Sequence, residues 1–168
     1  MMNRQSYSYR QRQRGIAAVE MTLVLPVLLL LMLATAEVGR MLYQYNTLTK
    51  AQRSGVRLLA TQLNYGQQDS LSECPTLGGT LPNNLINRAS NLIVYGSELG
   101  GATPVLPGLA VADVGFCEVP ALNEVQIRVQ YDFTPMLFNS LPTFGIGDPI
   151  PIDFPLDSAI SMRVLGGS

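Results

Sequence analysis

Three residues carry most of the chemistry this sequence can offer: Glu20, set inside an otherwise apolar stretch, and the two cysteines, Cys74 and Cys117. A carboxylate in a bilayer helix costs up to about 3 kcal/mol at the centre and less near an interface, so it calls for a partner. Glu20 has two readings on its own terms: it pairs with a cation, or it reaches the headgroups or helps cap the helix start, where the dipole favours acids. The cysteines enclose 42 residues and both lie outside the apolar stretch. In an oxidising compartment they are expected to form a disulfide worth up to about 4 kcal/mol; two separate buried thiols is the other reading.

Other chemistry is scarce. There is no His and no Trp, so the usual general base, proton shuttle and commonest metal ligand are missing. Two thiols without His do not make a zinc site. Asp148, Asp153 and Asp157 are interrupted by prolines and lack the dense loop of a calcium site, which makes them solvated turns. Gly78-Gly79 and Gly100-Gly101 are not followed by Lys-Ser or Lys-Thr, so they read as turns and not phosphate cradles. The expectation is a protein that is not an enzyme and has no metal or cofactor.

The elements that position these residues begin with a basic arm. Residues 1–15 carry Arg4, Arg10, Arg12 and Arg14 and no acid. Tyr7 and Tyr9 beside these arginines suit RNA in principle, but an arm near anionic lipid is the simpler account. Met21 to Ala36 is uncharged, and from Ile16 to about Glu37 the chain is long enough to cross roughly 30 Å of hydrocarbon. A soluble core helix would carry a polar stripe, which Leu23 to Leu33 lacks. A secretory signal peptide would need a cleavage site, for which Ala34-Thr35-Ala36 is the nearest match. The arginines of the arm favour a cytoplasmic N-terminus, against Arg40, Lys50, Arg53 and Arg57 on the far side.

Beyond Glu37, apolar residues from Val38 through Met41, Leu42, Tyr45, Leu48, Ala51, Val56 and Leu59 to Leu63 recur at steps of three and four, slipping near Gly55. That pattern continues the helix to residue 62 or 63, and no proline intervenes between Val27 and Glu73. Pro26 removes the donor for the Thr22 carbonyl and is expected to loosen or kink the helix, with the Thr22 hydroxyl compensating; prolines tolerated without consequence are also common in lipid.

Arg14-Gly15-Ile16-Ala17-Ala18-Val19-Glu20 resembles a prepilin-peptidase site, in which a basic leader ends in Gly and the mature chain has Glu as its fifth residue. More narrowly, Gly15 to Val27, Glu37 to Arg40 and Ala51 to Arg57 resemble the TadE-like minor pilins of the tight-adherence (Tad/Flp) system, with weaker echoes in Tyr131 to Pro135 and Ser158 to Arg163. The familiar pilins and type II secretion pseudopilins place Phe after the cut, where this chain has Ile16. The resemblance implies cleavage between Gly15 and Ile16, with Glu20 as the residue of processing and assembly. A new amine on Ile16 of one subunit would then neutralise Glu20 of its neighbour. It also implies partners: prepilin peptidase, other minor pilins, the major pilin and the inner-membrane assembly machinery.

From Asn64 onward the composition turns to Asn, Gly, Pro and Ser, with ten acids against Arg88, Arg128 and Arg163. A net charge near −7 argues against nucleic acid as partner. Helical spacing marks Leu85 to Ile93; alternation marks a strand over Val125 to Phe133, an edge strand or arm over Ile150 to Leu156, and a last short strand over Ile160 to Val164. The expected plan is a leader (1–15), a long helix (16–63) and an extracytoplasmic domain (64–168). Its class is α+β, a long helix packed on a small antiparallel sheet, pilin-like by resemblance. The functional expectation is a minor pilin subunit in pilus biogenesis and adherence. A permanently anchored protein with an external binding domain is the alternative, and an anchored hydrolase a distant third.

Overall fold

The computed structural model describes residues 6–64, 66–136, 140–141, 147–148, 150–151 and 155–165, with side chains from Gly15 onward except at residues 141, 150 and 151. Helix α1 spans Ser6–Gln62, so it starts inside the basic arm and runs through Pro26. Hydroxyls of Thr22, Thr47, Thr49 and Thr61 donate to carbonyls four residues earlier, which lets polar residues sit in the helix without leaving a donor unused. The helix gives way at Asn64, and Gly66 takes a left-handed φ of 85°, open to glycine at no steric cost.

The chain divides into two compact units, Met1–Arg40 and Met41–Ser168. In the first, an 18-residue window of α1 has a mean hydropathy of 2.5 and none of it is buried, so by length and composition this helix can cross a membrane.

The second unit is an α+β domain. Helix α2 covers Leu85–Tyr95 and buries Leu85, Ala89 and Ile93, its i, i+4, i+8 face. It ends at Gly96, whose left-handed backbone lets its N–H reach the Leu92 carbonyl at 3.0 Å. Strands β1 (Val114–Val119), β2 (Glu124–Asp132) and β5 (Pro155–Arg163) form an antiparallel sheet in the order β1-β2-β5. Two-residue strands β3 (Ser140–Leu141) and β4 (Ile150–Pro151) pair with each other. Val125, Ile127, Val129 and Tyr131 of β2 are buried and meet Leu48, Val56 and Leu59 of α1 and Ile93 of α2 in one core.

Two expectations are corrected. The Ile150 to Leu156 alternation is not one edge strand: Ile150 pairs in β4, whereas Pro155 and Leu156 open β5 opposite Asp132 and Tyr131, with residues 152–154 outside the described part. Pro155 is tolerated because it is the first residue of its strand, the position where a missing donor matters least. Asp157 therefore lies in β5 opposite Gln130, not in a turn; Asp148 is exposed in a bend, and Asp153 is outside the described residues.

Candidate functional site

The first candidate site is the start of the apolar half of α1. Gly15 has nothing within 4 Å of where a Cβ would stand, and Ile16 is 70% exposed. Glu20, one turn further on, is exposed and has no hydrogen bond or ion pair among the described residues. Val19, Met21 and Leu23 around it are likewise exposed, so this surface awaits an apolar solvent or other helices. The Thr22 hydroxyl donates to the Ala18 carbonyl at 2.7 Å, one turn below its own peptide, and so does not take over the role of the donor lost at Pro26. The apolar run closes at Glu37, which pairs with Arg40 at 3.0 Å across one turn.

The second part of α1 is a docking face. Gln52 is fully buried, and it is bonded in both directions to β5: its Nε2 donates to the Ser158 carbonyl at 2.9 Å, and the Ser158 Oγ donates to its Oε1 at 2.7 Å. A polar pair closed on itself is tolerated in a core, and it fixes where the helix sits along the strand. One turn on, a Cβ at Gly55 would fall 2.6 Å from Ile93 Cδ1 and 3.4 Å from Ile127 Cδ1, so glycine lets α1 approach α2 and β2 closely. The Tyr131 hydroxyl donates its one proton to the Pro107 carbonyl at 2.9 Å, with Gln44 Oε1 as a longer, shared acceptor at 3.4 Å. The sequence marked the slip at Gly55 but gave no sign of the Gln52 and Gln44 bonds, because their partners lie far along the chain.

One stretch thus holds both an exposed apolar surface with an unpaired carboxylate and a face of glycine and glutamine keyed to the domain. Residues 15–57 match the family of TadE-like proteins. The TadE-like segment, about a quarter of the chain, opens at the proposed cut and closes just past the docking face. The match bears out the resemblance to TadE-like proteins read from these residues. Comparison with curated proteins and with solved structures finds no match.

Beyond the TadE-like segment, Cys74 and Cys117 are joined in a disulfide with Cα atoms 5.2 Å apart. It pins the Ser72–Gly79 segment along the outer edge of β1, where Ser72, Cys74 and Gly78 exchange backbone hydrogen bonds with Phe116 and Glu118. Glu118 faces the core side of β1, opposite Val125. Its Oε2 is buried without a hydrogen bond, and burial first, then the charges of Asp69 and Glu73, raise its carboxyl above the ordinary 4.5. A cleft of about 640 Å³ opens on the other face of the sheet, with Arg128 over it and Asp157 Oδ1 at 3.8 Å from its Nε. Its charged and polar lining is Asp113, Arg128, Gln130 and Asp132, which contains no nucleophile beside a base.

Proposed function

We propose that this chain is a minor pilin-like structural and assembly subunit of a Tad/Flp-type type IV pilus, acting in pilus biogenesis and adherence and without catalytic activity. In this reading prepilin peptidase cuts between Gly15 and Ile16 on the cytoplasmic side. The apolar half of α1 holds the subunit in the inner membrane with residues 64–168 outside the cytoplasm, until other minor pilins, the major pilin and the assembly machinery draw it into a filament. The observation that carries the reading is the TadE-like match starting at Gly15, with Glu20, unpaired among the described residues, five residues on in an apolar helix whose membrane-length window has no buried residue. Outside lipid such a surface needs other helices, and inside it Glu20 needs a cation; an Ile16 amine from a neighbour supplies both a helix and a charge.

The test is the intact mass and N-terminal sequence of the protein from membranes of cells with and without prepilin peptidase. The expected outcome is a chain starting at Ile16 only when the peptidase is present, with Glu20→Ala then cut but not assembled. A chain keeping residues 1–15 in both cells would replace this reading with a permanently anchored binding protein.

A further inference from the structure

In the second unit, α1 turns one face to the core and the other to solvent. At about 100° per residue, Lys50, Arg53 and Arg57 fall on the side away from Leu48, Gln52, Gly55 and Leu59, and all three are exposed. The ion pairs among the described residues are Glu37 with Arg40, Arg88 with Glu98 and Arg128 with Asp157, which leaves these three cations without one. The rest of the domain is acidic, and three of its carboxylates gather at one place. Glu73 and Glu118 face each other across a parallel bridge beside the disulfide, and Asp69 is close enough for its charge to act on Glu118. Asp69 and Glu73 are exposed, Glu118 has a buried oxygen without a hydrogen bond, and none of the three has a salt bridge among the described residues.

We propose that the Lys50, Arg53 and Arg57 face of α1 docks on a second copy of this chain, against its exposed Asp69 and Glu73 beside Glu118. Three cations without an ion pair meet crowded carboxylates, so each surface relieves the repulsion of the other. A contact centred on the basic stripe of both copies would repel, so the basic stripe of one copy meets the acidic cluster of the other. Where the two surfaces do not pair reciprocally about a two-fold axis, such contacts repeat from copy to copy until they close a ring or run on as a filament. This deepens the assembly reading by naming the surface, and it rests on that reading only in requiring that copies of the chain meet.

Lys50 is the only lysine in the sequence, which makes the contact directly readable. Zero-length carbodiimide coupling joins an amine to a carboxylate in contact, so in the full-length protein in native membranes side-chain coupling must go through Lys50. Mixed isotope-labelled and unlabelled protein is expected to give covalent dimers whose linked peptides join Lys50 of one copy to Asp69 or Glu73 of another. The yield should fall at least about five-fold when sodium chloride is raised from 50 mM to 0.5 M, since exposed pairs are screened. It should vanish in Lys50→Arg, drop in Arg53→Glu with Arg57→Glu, and return in part when Asp69→Arg and Glu73→Arg chains are mixed with that variant carrying Lys50→Glu, read then as salt-sensitive pull-down. Monomer alone, linkage of Lys50 to other acids or to a different protein, or a yield indifferent to the arginine reversals would overturn the proposal. The mass of the same sample reports leader cleavage separately, so failure of the cut and failure of this contact are told apart.

Discussion

Glu118 and Gln52 show how differently this domain treats two polar side chains inside it. Gln52 has its carbonyl and its amide both engaged by Ser158, whereas Glu118 has one oxygen buried with nothing to bond and two acids for neighbours. Because the folded state raises the Glu118 carboxyl above its unfolded value, the native protein binds that proton more tightly than the unfolded chain does. The stability this supplies is fully present below the ordinary value of 4.5 and is lost as pH rises through the raised one. Glu118→Gln should therefore raise the thermal midpoint at pH 7 to 8 and leave it unchanged near pH 4. Thermal unfolding of the detergent-solubilised protein across that range checks it; a midpoint lowered at pH 8 would mean that the carboxylate has a favourable partner. Neither side chain could be assessed from the sequence: Gln52 reads as one more polar residue in an amphipathic helix, and Glu118 sits in a segment whose alternation is broken by Gly115 and Cys117.

At the scale of elements, α1, α2 and β2 meet at Gly55, where helix propensity and packing pull in opposite directions. Alanine would gain roughly 1 kcal/mol over glycine as a helix former. It would also drive a methyl into Ile93, whose Cγ1 and Cδ1 lie 2.6 Å from the new Cβ in a fully buried position. Overpacking of this kind costs about 1–3 kcal/mol, so Gly55→Ala should be net destabilising by about 1 kcal/mol and Gly55→Val by more. Chemical unfolding of both variants tests the order, and pairing Gly55→Ala with Ile93→Val should recover part of the loss. The helix itself was legible because its apolar steps of three and four are long and uninterrupted, and β2 because its alternation is clean. Strand β1 was not, since Gly115 lies under Leu77 and Cys117 is buried by its disulfide on what would otherwise be the wet face. The split of residues 150–156 between β4 and β5 was hidden for a related reason: period-two alternation fixes faces but not the partner strand.

For the molecule as a whole, the disulfide closes the loop that carries α2 and the start of β1, between residues 74 and 117. Loop-closure arithmetic for that length gives about 4 kcal/mol, a large share of the stability of a domain this size. Reduction, or Cys74→Ser with Cys117→Ser, is expected to lower the denaturant midpoint and free the Ser72–Gly79 edge first, which hydrogen exchange at Cys74 and Gly78 would register. If both amides kept their protection after reduction, the β1 edge would be held by its backbone bonds and the packing of Leu77 alone. The sequence by itself determined the apolar helix long enough for a membrane, its continuation to Gln62, the Gly15 to Glu20 motif and, with two cysteines, the sole pairing they allow. These are local or counting properties, set by periodicity, charge and composition along a short stretch. Only the tertiary structure decided which strand lies beside which, why Gly55 is glycine, that Gln52 finds Ser158 106 residues away, and that Glu118 Oε2 is buried with no hydrogen bond among the described residues. Each of those depends on groups brought together across long loops, and nothing in the spacing of nearby residues encodes which distant group will arrive.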